Sequence, residues 1–134
     1  MTAVDTSLVV ALFASWHEAH EIARESVPAE AHLPAHVLLE SYSVLTRLPP
    51  PHRAPAEVVE AFLKKRFQAR LLTLPGERYR SLLKMLADRE ITGGGVYDAL
   101  IAATAMHAKA TLLTRDRRGA RMYEAVGVTY RLLG

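Results

Sequence analysis

Three aspartates and one glutamate occupy positions in this sequence where carboxylates could do chemistry. Asp5 follows the apolar run AV, Asp116 follows TLLT, and Asp98 opens the alanine-rich segment VYDALIAATAMHAKA. Each of these three could be a simple helix cap, because a carboxylate near a helix N-terminus is stabilised by roughly 0.3 to 1 kcal/mol. Glu40 lies in mid-helix between VLL and SYSVL, where capping offers no explanation. We therefore predict that the four acids share one site.

Clustered carboxylates need a neutralising group, because like charges a few ångströms apart raise each other's pKa. The chain has no cysteine, which excludes thiolate metal sites, disulfides and cysteine nucleophiles. Mg²⁺ and Mn²⁺ prefer oxygen ligands, and Mg²⁺ keeps several waters while it coordinates substrate phosphate. Such an ion activates water and offsets the charge that builds on a phosphodiester, so the acids predict metal-assisted phosphodiester hydrolysis. At Asp5, which follows a buried strand, we also expect a cationic compensating group.

Arginine supplies 13 of the 17 basic residues, and the formal net charge is +3. Its planar guanidinium matches phosphate well, so this composition favours a nucleic acid partner. The segment RDRRGAR places four arginines around Asp116, where they could hold the phosphates of a nucleic acid: Arg115, Arg117, Arg118 and Arg121. Arg47 lies two helical turns after Glu40 on roughly the same face, and could pair with the acids or with phosphate. The alternative for these residues is an exposed, solvated helix face.

Strands and helices alternate along the sequence and set the positions of these acids. Apolar runs predict five strands, at residues 3–4, 31–34, 69–75, 111–114 and 128–133. Amphipathic segments predict helices over residues 8–14, 17–27, 35–48, 54–67, 76–91, 96–110 and 117–127. Parallel neighbours need long crossover connections, so the alternation predicts an α/β fold with a mostly parallel sheet covered on both faces. In such sheets functional groups gather beyond the carboxyl ends of the strands, where Asp5 and Asp116 lie.

The chain has 134 residues, of which 50% are apolar. This length and composition predict a single domain over residues 1–134 with one hydrophobic core. No apolar run approaches the roughly 18 residues that a membrane-spanning helix needs, and no signal peptide pattern opens the sequence. We therefore expect a cytoplasmic protein with no membrane partner.

Four segments of the sequence resemble the PIN-domain ribonucleases, in particular the VapC-type toxins of bacterial and archaeal toxin-antitoxin pairs. They are VDTSLVVALF, PAHVLLESYSVLTRLP, GGGVYDALIAATAMHAKATLLTRD and YEAVGVTY, and together they cover nearly the whole chain in order. The resemblance implies a three-layer α/β/α sandwich with a mostly parallel sheet of about five strands. It also implies a Mg²⁺- or Mn²⁺-dependent endoribonuclease that cuts RNA and so blocks translation.

The resemblance assigns a role to each acid and to the hydroxyls beside them. The catalytic, metal-binding positions of the family match Asp5, Glu40, Asp98 and Asp116. Hydroxyls that support these acids match Thr6, Ser7 and Thr114. The resemblance further implies an antitoxin partner, whose C-terminal segment would occupy the active-site groove, and a homodimer. Apolar side chains on the middle helices could form the dimer interface, with core packing as the alternative: Tyr42, Val59 and Phe62.

Other classes of protein share parts of this pattern. A receiver or phosphotransfer domain would need paired acids after the first strand and a lysine near the last, but VDTS supplies one acid and VTYRLL no lysine. A haloacid-dehalogenase-type phosphatase would need a second aspartate where the chain has Ser7. The remaining alternative is a non-catalytic RNA-binding or protein-interaction module, in which the arginines bind RNA and the acids only cap helices. Glu40 argues against that module, since capping does not account for it.

Overall fold

The computed structural model describes residues 1–134 and consists of seven helices and three strands. In chain order the elements are β1 (Thr2–Val4), α1 (Thr6–Phe13), α2 (His20–Ser26), α3 (Ala35–Thr46), α4 (Ala56–Arg66), α5 (Gly76–Asp88), α6 (Gly95–His107), β2 (Thr111–Thr114), α7 (Arg117–Val126) and β3 (Tyr130–Leu132). Every helix that the sequence predicts is present, with ends shifted by a few residues. None of these helices is long and apolar enough to cross a membrane.

The three strands form a parallel sheet in the order β1-β2-β3. In its register Val4 pairs with Leu113, and Thr114 pairs with Leu132. β1 and β2 are neighbours in the sheet although six helices lie between them in the chain. Because both strands run in the same direction, their carboxyl ends bring the residues that follow them to one edge of the sheet.

Two of the five predicted strands, 31–34 and 69–75, are reduced to isolated bridges, which pair His32 with Ala3 and Leu72 with Pro34. These bridges extend the sheet beyond β1. Val4 N donates to the His32 carbonyl (3.2 Å), and Leu72 N donates to the Leu33 carbonyl (2.9 Å). Pro34 has no N–H to donate and already stands at the start of α3, so the ladder ends there. The predicted α/β class and parallel direction are confirmed, and the regular sheet is shorter than the sequence indicates.

Helix α6 carries Asp98 and owes its close packing to small side chains. Ala99, Ala102 and Ala105 are completely buried. The helix packs against α7, α3 and β2. Small side chains let a helix approach its neighbours closely, because no long side chain stands between the backbones. The alanines therefore hold Asp98 beside the carboxyl ends of the strands.

The three apolar residues considered for a dimer interface differ in their burial. Val59 is completely buried in the core. Phe62 packs edge-on against Phe13, with 5.1 Å between ring centroids, and is partly buried. Tyr42 is exposed. Val59 and Phe62 therefore serve core packing, and the homodimer stays a prediction for which Tyr42 alone of the three remains available.

Candidate active site

Asp5 is a buried carboxylate whose oxygens are fully used by neighbouring donors. It lies between β1 and α1 with 3% of its surface exposed, and it caps α1. Its Oδ1 accepts from Ser7 Oγ (2.6 Å) and Leu8 N (3.4 Å), and its Oδ2 accepts from Tyr123 OH (2.8 Å) and from Thr114 Oγ1. No cationic side chain of the protein hydrogen-bonds this carboxylate, and compensation by a divalent ion stays a prediction. Hydroxyls compensate the carboxylate instead, and burial still raises its pKa against their opposing effect.

Glu40 joins α1 to α3 at the mouth of the same site. Its Oε1 accepts a hydrogen bond from Thr6 Oγ1. Its Oε2 lies 3.4 Å from His36 Nε2, one helical turn earlier on α3. That ring stacks in parallel on Tyr97 of α6, with 5.0 Å between centroids. The hydrogen-bonded partner of this mid-helix glutamate is therefore the Thr6 hydroxyl, while the His36 imidazole lies near its other oxygen without a hydrogen bond and its stack on Tyr97 ties α3 to the start of α6.

Asp98 is the least satisfied of the four acids. It lies in the first turn of α6, is partly buried, and the protein offers its carboxylate no hydrogen bond. Burial raises its pKa to about 6, with further contributions from the charges of Asp116, Glu40 and Asp5 and an opposing one from His36. The four acids therefore lie close enough to influence one another, and Asp98 has free oxygens for a ligand.

Asp116 is positioned by the turn between β2 and α7. Its backbone N donates to Thr114 Oγ1 (3.0 Å), and its Oδ1 accepts from Arg118 N (2.9 Å) at the start of α7. Gly119 follows one turn later, where a Cβ would lie 3.2 Å from Asp116 Oδ2 and 3.3 Å from the Tyr123 hydroxyl. The absent side chain of Gly119 thus leaves Oδ2 uncrowded.

The predicted arginines have different environments. Arg117, Arg118 and Arg121 are exposed on α7 and form no ion pair within the chain. Arg115 is held by Glu18, with 3.0 Å between Nη2 and Oε1. An open cavity of about 600 Å³ beside Asp116 is lined by Ser7, residues 115–118 and residues 132–134. Two unpaired guanidinium groups, those of Arg117 and Arg118, therefore line this cavity, and Arg121 is not among its lining residues.

Arg47 is not brought to the acids. It is exposed at the C-terminal end of α3, beyond the last helical turn, and forms no ion pair. Seven residues separate it from Glu40, which places it about 10 Å further along the helix axis at 1.5 Å per residue. The α3 geometry supports Glu40 as a member of the site, and a role of Arg47 in binding phosphate stays a prediction.

Three contributors to the site were missed by sequence reasoning: Tyr123, His36 and Gly119. His36 carried a usable signal, since its spacing of four residues from Glu40 places both on one helix face. Tyr123 carried a weaker one, as the aromatic residue on the apolar face of α7. Nothing local distinguishes Gly119, because its close approach to Asp116 depends on the turn that precedes α7.

The carboxylates of the four acids suit a divalent cation that keeps several water ligands, and not one whose ligands all come from the protein. No group of three or more carboxylate or imidazole side chains converges closely enough to hold one ion. Mg²⁺ is commonly bound through one or two carboxylates with several waters retained, so such convergence is not required. Asp98 and the free Oδ2 of Asp116 would hold the ion directly. Asp5 and Glu40, whose oxygens already have partners, would reach it through water.

Comparison with known proteins places this geometry in a family. Residues 2–125 match the PIN domain. The chain is 47% identical over 133 residues to ribonuclease VapC40 of Mycobacterium tuberculosis, which covers 99% of each protein. It is 44% identical over 127 residues to ribonuclease VapC27 of the same organism, covering 94% of this chain and 92% of the relative. The chain belongs to the PIN-domain family, and the predicted family is confirmed.

Solved structures show the same fold. The crystal structure of Mycobacterium tuberculosis VapC20, described as a sarcin-ricin loop cleaving toxin, superposes with a TM-score of 0.72 and 20% sequence identity. The match covers 96% of this chain and 97% of that one. At this identity the likeness concerns the fold alone, and it confirms the predicted α/β architecture.

Proposed function

We propose that this chain is a divalent-metal-dependent endoribonuclease and the toxin of a toxin-antitoxin pair. The predicted enzyme class is confirmed by relatives named ribonucleases, which are 47% and 44% identical over nearly all of the chain. One observation of the structure carries the proposal for the site. Three junctional aspartates and a mid-helix glutamate gather at one edge of the sheet, where burial, together with the charges of Asp116, Glu40 and Asp5, raises the pKa of Asp98 to about 6.

The residues of the site have separate roles in the proposed hydrolysis. The bound ion would activate water and offset charge on the phosphodiester. Thr114 Oγ1 donates to Asp5 and accepts from Asp116 N, so one hydroxyl sets the spacing of these two acids. Asp98 offers unoccupied oxygens to the ion and its waters. Arg117 and Arg118 provide guanidinium groups that bind phosphate oxygens on either side of the scissile bond.

The first test is metal-dependent RNA cleavage. We expect the purified protein to cleave single-stranded RNA with Mg²⁺ or Mn²⁺, and to lose that activity in excess chelator, because the acids then have no ion to hold. Electrophoresis of end-labelled RNA measures the cleavage. When one of the four acids is replaced, Asp88→Asn is the matched control and should cleave RNA like the parent, since Asp88 is an exposed aspartate on α5 paired with Lys84. Undiminished cleavage in excess chelator would contradict the metal dependence.

The second test concerns the toxin role. We expect expression of the chain to arrest growth of a host cell, and a protein encoded beside it to relieve the arrest by binding the chain. Expression of Asp98→Asn is the control, because that protein keeps the fold and loses the proposed metal ligand. Sequencing of RNA 5′ ends after induction would identify the RNA that is cut. Harmless expression of an enzyme shown to be active would count against the toxin role.

The proposal also places the protein in the cytoplasm, where its RNA substrate lies. Extract fractionation would check this, and recovery of the native protein outside the cytoplasm would contradict it.

A further inference from the structure

Trp16, the only tryptophan of the chain, lies at the surface between α1 and α2. It is 51% exposed. The His52 ring covers one of its faces, with 3.9 Å between centroids and 26° between ring planes. The His17 ring lies nearby, with 5.9 Å between centroids and a tilt of 40°, and the exposed part of the tryptophan surface remains available to another planar group. Exposed tryptophan forfeits the burial that its large apolar surface favours, and such residues are characteristic anchors for ligands.

The segment that carries Trp16 is held rigidly by its histidines. His17 Nδ1 accepts from Ala19 N (3.0 Å), and His20 Nδ1 lies 2.8 Å from the Ala11 carbonyl. Burial and the charge of Arg115 lower the pKa of His17, which keeps this nitrogen free to accept. A ring that is already fixed in place loses little conformational entropy when a ligand stacks on it.

A continuous series of contacts connects this segment to the acids. Glu18, two residues after Trp16, binds the Arg115 guanidinium at 3.0 Å. Arg115 N donates to Ser7 Oγ (2.9 Å), and Ser7 Oγ donates to Asp5 (2.6 Å). The loop that carries Trp16 is therefore tied through Arg115 to the turn that bears Asp116, beside the acids.

We infer that Trp16, backed by His52, is a stacking site for an unpaired RNA base next to the cleavage site. This inference rests on the proposed ribonuclease function. Every base has a π-face that stacks on aromatic side chains, and protein recognition of single-stranded RNA uses such stacking. The surroundings favour a polyanion, because Arg53 follows His52 in the chain and Arg117 and Arg118 flank the acids without carboxylate partners. The site would therefore take an unstacked base in a loop or a single strand.

Fluorescence offers a direct test, since Trp16 is the sole tryptophan. The Asp98→Asn protein in excess chelator, which does not cleave RNA, is titrated with a single-stranded oligoribonucleotide. Saturable quenching of tryptophan emission is expected as a base stacks on the ring. Inorganic polyphosphate serves as the control, because it carries the charge of RNA without bases and should bind without quenching.

Activity measurements with variants complete the test. Trp16→Ala in the otherwise unchanged protein is expected to raise KM for RNA about tenfold, the loss typical of one stacked base, with kcat little changed. Trp16→Tyr should restore most of the affinity, because it keeps an aromatic face. Tyr79→Ala removes an aromatic side chain of similar exposure on α5 and should have no effect. Circular dichroism confirms that each variant is folded.

The outcomes separate this inference from the proposed function. RNA that binds without quenching, or a Trp16→Ala protein with unchanged KM, would overturn the stacking site, while RNA cleavage by the parent protein would stand. Failure to bind RNA would also overturn it. Quenching by RNA in a protein that never cleaves RNA would retain the stacking site and reject the nuclease.

Discussion

Replacing Asp98 with asparagine is expected to abolish RNA cleavage and to make the metal-free protein more stable at pH 7. Asparagine has nearly the same shape but no charge. It removes a proposed metal ligand, so activity should fall by more than about a hundredfold, the upper loss seen when only a supporting partner of a metal site is removed. It also removes a charge that burial and the neighbouring carboxylates Asp116, Glu40 and Asp5 disfavour.

The pH dependence of this stabilisation has a definite sign. The folded-state pKa of Asp98 is raised from 3.8 to about 6. A carboxyl with a raised folded pKa destabilises the folded state once it ionises, so stability from this group is lost as pH rises from about 4 to about 6. The gain from Asp98→Asn should therefore be greatest at pH 7, on the order of 1 kcal/mol after allowance for solvent screening, and should vanish near pH 4.

Urea unfolding in excess chelator at pH 4, 5, 6 and 7 would measure this difference. Asp88→Asn is again the matched control, because Asp88 lies on the surface of α5 with a lysine partner and should show no gain. An Asp98→Asn protein that is less stable than its parent at pH 7 would show that burial and the neighbouring carboxylates do not raise the pKa of Asp98 in the folded protein. Full cleavage activity would remove Asp98 from the proposed site.

Replacing Asp5 with alanine is expected to destabilise the protein strongly in addition to abolishing cleavage. The carboxylate accepts from Ser7, Leu8, Thr114 and Tyr123, and the alanine would leave these donors without an acceptor in a buried space. Each unsatisfied buried donor costs about 1 to 3 kcal/mol. Relief of the buried charge, whose pKa is raised, offsets part of that loss. We expect a net loss of about 3 kcal/mol in the free energy of unfolding.

Two variants separate the contributions to this loss. Tyr123→Phe removes only the hydroxyl that lies 2.8 Å from Asp5 and should cost about 1 kcal/mol. Asp116→Ala removes a cap of α7 that is only partly buried, and should cost a similar amount. Denaturant unfolding measures all three. An Asp5→Ala protein as stable as its parent would contradict this prediction, because the four hydrogen bonds would then contribute no more than the buried charge costs. Because stability and activity fall together at Asp5, Asp98→Asn is the cleaner probe of catalysis.

The helices and the candidate acids could be predicted from the sequence because their signals are local. A loop of glycines, a carboxylate in the first turn and several alanines predict helix α6, and all of them lie within one short segment. Asp5 and Asp116 are recognisable because each follows an apolar run and precedes a helix. The number of regular strands could not be predicted in this way, since the length of a strand depends on whether a neighbouring strand continues the hydrogen-bond ladder. Pro34 ends that ladder at one edge of the sheet.

The environment of each acid could not be read in the same way, because the groups that create it come from distant parts of the chain. Thr114 and Tyr123 meet Asp5 only because β1 and β2 pair and α7 packs against α6. The sequence pattern indicates that the buried negative charge of Asp5 needs a compensating group, but it does not show whether hydroxyls or a guanidinium supply that group. The sequence therefore determines which acids are present and where the elements begin, since these depend on neighbours a few residues away. Tertiary packing alone decides that Asp5 is saturated with hydrogen bonds while Asp98 is left open, because that difference depends on which donors distant segments bring within about 3 Å of each carboxylate.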